Sequence, residues 1–210
     1  MQQQENPYMN SFWQILHDQV SAMPWLETAG VITALIFTIL AAYEKKACWP
    51  FGFISSLIYV YLCVEIKLYQ DAIINIYYVV MAIYGWWNWS KPISDQNEKI
   101  PVSSLKKNER IQYILIGITF TGISGSLFYF YTDASFPFAD AFTTVFAFLA
   151  TWLQARKKIE NWIVFFLVDA VSAVLYFQKS LYLTSLLFVL YTLLCAFAWN
   201  RWNQKIKHSA

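Results

Sequence analysis

Long apolar runs dominate this chain and limit what it can fold into. Of its 210 residues, 58% are hydrophobic and 13% are charged, whereas a soluble domain is typically about 25% charged. A helix needs about 17–25 mostly apolar residues to cross a bilayer. The pattern favours an all-α integral membrane protein over a large soluble protein with buried helices. We predict seven transmembrane helices, at approximately residues 26–42, 49–64, 71–89, 111–131, 139–155, 162–178 and 181–199.

The basic residues predict an orientation for these seven helices. Lys and Arg collect in cytoplasmic loops of membrane proteins. With the N-terminus outside, all 15 basic residues except Lys67 and Lys179 fall on the cytoplasmic side. We therefore expect an N-out, C-in topology. Apolar residues at helical spacing before the first span predict a short amphipathic helix on the outer membrane surface, ending near Pro24.

Two parts of the chain resemble each other at a constant offset, without gaps. Trp49 falls on Trp162, and Trp89 falls on Trp202. Each part holds three predicted helices, and a connecting helix at 111–131 makes the two repeats parallel. The predicted architecture is therefore three plus one plus three, a known transporter plan that binds substrate between the halves. Trp89 and Trp202 lie near helix ends, which is typical of an aromatic belt at the membrane interface.

The same pattern predicts how the chain is divided. Residues 90–107 form the longest polar stretch and separate the two repeats. The predicted segments are an amphipathic interfacial segment (1–25), a first repeat (26–89), a cytoplasmic linker with the connecting helix (90–138), a second repeat (139–202) and a cytoplasmic tail (203–210).

Asp169 is the one formal charge in the apolar run "WIVFFLVDAVSAVLY". An Asp at the centre of a membrane helix costs about 2.5–3.5 kcal/mol on insertion scales, so it is not expected to face lipid. Trp162, Asp169 and Tyr176 are seven residues apart and share one helix face. A carboxylate flanked by rings suits a flat ligand that is cationic or carries hydroxyls. The alternative is a structural Asp that is hydrogen-bonded to a neighbouring helix.

Other polar residues in the predicted spans are weaker candidates for the same site. Asn75 and Tyr78 share a face of the third predicted span, whereas Asp71 at its start fits a helix cap. Tyr59 lies near the middle of the second predicted span. Gln154 and Trp152 lie at the inner end of the fifth, where a pocket and a helix interface are equally plausible.

Several classes of function have no support in the sequence. The three cysteines and two histidines show no metal-ligand spacing, and no catalytic triad or phosphate-binding loop can be assembled. No cofactor is therefore expected. A net charge of +2 gives no indication of a nucleic-acid partner. The last predicted span contains no Lys for a retinal Schiff base, and Asp169 has no identifiable acidic partner for intramembrane catalysis.

Two segments, "KLYQDAIINIYYVVMAIYGWWNW" and "TWLQARKKIENW…VDAVSAVLYFQKSLYLT", resemble the PnuC family of bacterial nicotinamide riboside transporters. The resemblance implies a SWEET-like fold, a homotrimer in the bacterial inner membrane, and facilitated diffusion of nicotinamide riboside. A cytosolic kinase would then trap the substrate by phosphorylation. Carried over to this chain, the resemblance implies that Trp162, Asp169 and Asn161 face Asn75 and Tyr78 across the site.

Two alternatives to this interpretation stay open. Relatives in the family carry other vitamins, and thiamine is also an aromatic cation with a hydroxyl-bearing arm, so a site of Trp, Tyr and Asp suits either substrate. Transport could also be coupled to protons through Asp169.

Overall fold

The fold is described from a computed structural model that covers residues 7–92, 100–132 and 135–209. Within these ranges the chain is helical and forms no strand. Its eight helices are α1 (Pro7–Ala22), α2 (Trp25–Ala42), α3 (Cys48–Glu65), α4 (Tyr69–Ser90), α5 (Lys107–Tyr131), α6 (Pro137–Ala155), α7 (Glu160–Gln178) and α8 (Tyr182–Ser209).

The prediction of seven transmembrane helices is wrong. Over the described residues, six helices are long and apolar enough to cross a membrane: α2, α3, α5, α6, α7 and α8. The predicted SWEET-like arrangement of three plus one plus three, with its N-out, C-in topology, depended on counting seven spans and is not matched. The all-α membrane class is retained.

Helix α4 accounts for the difference in the number of spans. It contains 22 residues and is long enough to cross a bilayer, but it is not among the six candidate spans. Asp71, Asn75 and Asn88, together with several tyrosines and tryptophans, lower its hydropathy. Its mostly apolar run at residues 71–89 predicts a span because the run is long enough to cross a bilayer.

Four helices end in the same tight turn, which brings each of them against the next helix in the chain. The residues Glu44, Lys67, Lys157 and Ser180 follow α2, α3, α6 and α7 and have φ between 52° and 61°. In each case the next backbone N–H bonds back across the helix end, as when Leu181 N donates to the Tyr176 carbonyl at 2.9 Å. This is the Schellman arrangement, which satisfies the last carbonyls of a helix and reverses the chain. Each helix therefore packs against the next one.

The helices form two packed groups, α2–α4 and α6–α8. The groups meet where α4 contacts α6 and where α2 contacts α8. Helix α5 packs on α6, and α1 packs on α8. This leaves space for a cavity between the two groups.

Four tryptophans form a buried cluster at one end of the two groups. Trp49 contacts Trp89 edge to face at 5.4 Å, Trp89 lies 6.1 Å from Trp202, and Trp202 contacts Trp162 at 5.4 Å between ring centroids. All four side chains are at most 2% exposed. The expectation that Trp89 and Trp202 belong to an interfacial belt is therefore wrong. Their indoles instead donate to the carbonyls of Ala155 and Ala42, which joins the two groups.

Candidate functional site

A cavity of about 490 Å³ lies between the two helix groups. Small-molecule sites typically enclose about 300–1,000 Å³, so the space suits a ligand of vitamin size. Helices α2, α3, α4, α6, α7 and α8 all contribute to its walls. Exposed residues such as Asp71 and Lys179 mark its mouth, and the buried ring of Trp49 lies at its inner end.

Helix α7 presents one stripe of side chains to the cavity. Phe165, Val168, Asp169, Ser172 and Tyr176 all line it. These positions recur at three- and four-residue spacing, which is one face of an α-helix. The sequence therefore places the only charge in the middle of α7 on the face that meets the cavity.

Asp169 lies within this wall and is 8% exposed. Its Oδ2 accepts a hydrogen bond from the thiol of Cys195 on α8 at 3.5 Å. A thiol is a weak donor, and an ionised carboxylate has about four acceptor positions, so much of its bonding capacity remains for a ligand. Tyr78 and Tyr191 lie within electrostatic range of the carboxylate.

Aromatic rings form much of the remaining wall. Tyr176 stacks on Phe188 with centroids 5.2 Å apart and an interplanar angle of 6°. Tyr78 lies 6.1 Å from Phe148 in an edge-to-face arrangement. Tyr59 also lines the cavity and packs against Gly30, where an added Cβ would come within 3.2 Å of its ring. Such faces attract cations and flat rings.

Three charged side chains lie at the cavity mouth: Asp71, Asp140 and Lys179. The Lys179 ammonium pairs with Asp140 Oδ1 at 3.3 Å. Asp71 lies within electrostatic range of both. We call this set the mouth triad. The cavity thus carries three acids and one base along its length.

The structure brings some of the predicted site residues together. Tyr59, Asn75, Tyr78, Asp169 and Tyr176 all line the cavity. The amide nitrogen of Asn75 donates to the carbonyl of Asp71 within its own helix, which leaves the amide oxygen for other partners.

Four other predicted residues lie outside the cavity lining. Trp162 belongs to the buried tryptophan cluster, and Asn161 and Gln154 are almost fully buried beside it. Trp152 stacks on Tyr84 at 5.4 Å and donates to the Tyr113 hydroxyl at 3.2 Å. None of the four is among the lining residues of the cavity, and Gln154 Oε1, Asn161 Oδ1 and Trp162 Nε1 are buried without a hydrogen-bond partner among the described residues.

Sequence reasoning missed the lining residues Asp140, Lys179 and Tyr191. Tyr191 could have been predicted as a site residue, because the repeat alignment pairs it with Tyr78. Asp140 and Lys179 lie at helix ends, where a charge is explained by capping or by the helix dipole. No signal in the sequence indicated that the two side chains meet.

No metal centre accompanies the cavity in the described part of the chain. Within residues 7–92, 100–132 and 135–209, no group of three or more His, Cys, Asp and Glu side chains could hold a metal ion.

Comparison with known proteins identifies similar chains. The family model described as nicotinamide mononucleotide transporter matches residues 24–204. The nicotinamide riboside transporter PnuC of Escherichia coli is 22% identical, over 86% of this chain and 85% of that protein. The riboflavin/roseoflavin transporter RibM of Streptomyces davaonensis is 27% identical, over 93% of this chain and 91% of that protein. A crystal structure of the vitamin B3 transporter PnuC superimposes with a TM-score of 0.70 at 18% identity, covering 94% of this chain and 91% of that one.

Proposed function

Because the chain belongs to the nicotinamide mononucleotide transporter family, we propose that nicotinamide riboside is its substrate. The protein is a membrane transporter of the bacterial inner membrane, with several spans, and is not an enzyme. Several relatives named as nicotinamide riboside transporters support this substrate.

A single observation in the structure carries the proposal: a buried carboxylate beside aromatic rings in a cavity between the two helix groups. Nicotinamide riboside is a cationic aromatic ring attached to a sugar. Asp169 would pair with the positive ring, and Tyr78, Tyr176 and Tyr59 would offer ring faces. Ser172 and Asn75 would meet the sugar hydroxyls. The cavity lining does not include four residues that the sequence suggested as substrate contacts: Trp162, Asn161, Gln154 and Trp152.

The charges of the cavity favour a riboside over the mononucleotide in the family's description. A mononucleotide carries a phosphate, which Asp71, Asp140 and Asp169 would repel. The base in the lining, Lys179, is already paired with Asp140. A riboside has no phosphate and keeps the cationic ring.

Riboflavin is a second candidate because the named riboflavin transporter has a higher identity to this chain than the riboside transporters have. Its ring system is flat but uncharged, so it would use the aromatic walls without pairing with Asp169. Thiamine, an aromatic cation, remains an alternative that charge alone does not separate from the riboside.

We infer facilitated diffusion rather than pumping. In this scheme a cytosolic kinase traps the riboside by phosphorylation, so that the gradient of free substrate always favours entry. Asp169 would then bind the substrate without carrying a proton. Proton-coupled uptake through Asp169 is the competing mechanism.

We further propose that the protein works as a homotrimer, with α5 at the interface. Helix α5 packs on α6 and leaves an outer face of Ile118, Gly122, Ile123 and Ser126. Open space surrounds the position of an added Cβ at Gly122. Small residues four apart let membrane helices approach closely, and a second copy of the chain would fit this face.

The substrate proposal is tested by uptake into proteoliposomes. Labelled nicotinamide riboside, its mononucleotide, riboflavin and thiamine are offered separately to vesicles with and without the protein. We expect the riboside to equilibrate fastest and the mononucleotide to be excluded. Fast riboflavin uptake with slow riboside uptake would instead support the second candidate.

A further inference from the structure

At the cavity mouth the Lys179 ammonium already occupies groups that a cationic aromatic substrate would need, Asp140 and Tyr176. The Lys179 ammonium lies 3.3 Å from Asp140 Oδ1 and 5.9 Å from the centroid of the Tyr176 ring. A carboxylate and an aromatic face are the two partners expected of a pyridinium-type ring. All three residues line the same cavity.

A purely structural explanation accounts for part of this arrangement. Lys179 directly follows α7, and a base near a helix C-terminus is favoured by the helix dipole. That explanation does not account for the partner. Asp140 belongs to the first turn of α6, and its carboxylate reaches across to Lys179 at the rim of the cavity. The ion pair therefore joins the two helices at the place where a ligand enters.

Helix α1 holds the backbone of the turn that follows Lys179. The next residue, Ser180, has a φ of 59° in the tight turn between α7 and α8. Gln19 donates from its amide nitrogen to the Ser180 carbonyl at 3.1 Å. Its amide oxygen accepts from Leu183 N at 3.0 Å. The Gln19 side chain therefore makes two hydrogen bonds to the backbone of the turn that follows Lys179.

We propose that Lys179 is a tethered competitor of the substrate and sets the selectivity for cationic ligands at the cavity mouth. On its way to Asp169, a cationic ligand competes with Lys179 for Asp140 at the cavity mouth, whereas a neutral ligand of the same shape passes without this exchange. The inference depends on the proposed function, since it assumes that the cavity binds a cationic riboside. Lys179 keeps the acids at the mouth from holding any single cation tightly, which favours release during transport.

The size of the effect follows from the exposure of the pair. The side chains of Lys179 and Asp140 are 37% and 33% exposed, so solvent weakens their attraction. Removal of the competing charge is therefore expected to tighten binding of a cation by about two- to five-fold.

The test compares two ligands that differ by one hydride and therefore in charge. Nicotinamide riboside is cationic, and its dihydro form has gained a hydride and is neutral with nearly the same shape. Affinities of the purified full chain for both are measured by calorimetry. Lys179→Met is expected to bind the cation about two- to five-fold more tightly and the neutral form as the wild type does. Lys179→Gln repeats the test with a polar side chain.

Two further variants separate local competition from a general change in charge. Lys67→Met removes the same charge from a residue outside the cavity lining and is expected to leave both affinities unchanged. Asp140→Asn is expected to weaken binding of the cation, and Lys179→Met should add no gain in that background, as a double-mutant cycle requires.

The outcomes separate failure of this inference from failure of the proposed function. An unchanged or weaker affinity of Lys179→Met for the cation, with normal binding by the wild type, overturns this inference alone. An equal gain for both ligands also overturns it, because the effect would then be steric. Failure of the wild type to bind either ligand overturns the proposed function and this inference with it.

Discussion

At the scale of single residues, the charge of Asp169 is expected to matter more than its shape. Asp169→Asn keeps the side-chain volume and the contact with Cys195 but removes the negative charge. Removing one charge of a buried ion pair costs about 3–5 kcal/mol, so we expect the dissociation constant for nicotinamide riboside to rise about ten-fold or more. Calorimetry on the purified variant measures this.

The control for Asp169→Asn is Asp18→Asn on α1, where the carboxylate is 82% exposed and lies outside the cavity lining. It should bind like the wild type. Wild-type affinity in Asp169→Asn would show that the carboxylate is structural.

The same residue separates diffusion from proton coupling. If Asp169 only binds substrate, a pH gradient across proteoliposomes should not drive accumulation of the riboside above its outside concentration. Accumulation that follows the gradient in the wild type and disappears in Asp169→Asn would establish proton coupling. The measurement is the amount of labelled riboside inside the vesicles at equilibrium, with and without the pH gradient.

Residue patterns predicted some side chains of the cavity but could not show where the cavity ends. Asp169 stands out because a lone acid in an apolar helix requires a polar environment. Seven-residue spacing also selected Trp162, which does lie on the same side of α7. That side continues past the cavity into the tryptophan cluster, where Trp162 packs on Trp202. Helical periodicity gives the direction of a side chain and carries no information about what lies opposite it.

At the scale of elements, the segment before α5 is held by one buried carboxylate. Glu160 on α7 accepts from Leu105 N at 3.0 Å and from the Ser104 hydroxyl at 2.6 Å, and it pairs with Arg110 at 2.8 Å. These contacts attach the start of α5 to α7.

Replacement of Glu160 is therefore expected to destabilise the protein. Glu160→Ala leaves the Leu105 N–H and the Ser104 hydroxyl without this acceptor, at a cost of about 2–3 kcal/mol. Thermal unfolding in detergent should show a lower midpoint. Glu109→Ala is the matched control. Glu109 accepts a hydrogen bond from Lys106 N at the exposed start of α5 and makes none of the contacts of Glu160. An equal loss in both variants would contradict the assigned role of Glu160.

Helix α1 should stabilise the turn between α7 and α8 through Gln19. Gln19→Ala removes both of its hydrogen bonds to that turn, and net loss of about 1 kcal/mol is expected. Hydrogen exchange at Leu183 N should become faster. Gln14→Ala, at an exposed position on the same helix, should leave exchange unchanged. Unchanged exchange in Gln19→Ala would show that other contacts hold the turn.

The positions of the helices along the chain were easier to predict than the number of helices that span the membrane. Each predicted span overlaps one helix, because apolar runs, Pro and charged turns define helix ends. The span at α4 was predicted from the length of its mostly apolar run, to which its Tyr residues contribute. Tyr78 lines the cavity, and Tyr77 donates to the Phe148 carbonyl of α6 at 2.8 Å. Hydrophobic pattern does not distinguish a ring that faces lipid from one that faces a neighbouring helix.

At the scale of the whole molecule, the cavity is built from residues that are far apart in the chain. Asp71 and Lys179 share its mouth, and Tyr59 and Asp169 share its walls. The sequence contains both members of each pair, but their proximity depends on the contacts of α4 with α6 and of α2 with α8. These contacts arise from tertiary packing of buried rings, which no local pattern encodes.

The proposed trimer gives a prediction at the same scale. Gly122→Leu would place a branched side chain on the outer face of α5, where the added Cβ meets open space within one chain. The fold of the single chain should therefore survive, while close approach of a second copy is blocked. Native mass spectrometry in detergent should show trimers for the wild type and monomers for Gly122→Leu. Ala196→Leu, at an exposed small residue on α8, should leave the trimer intact. A trimer that persists in Gly122→Leu, or dissociates only in Ala196→Leu, would place the interface elsewhere.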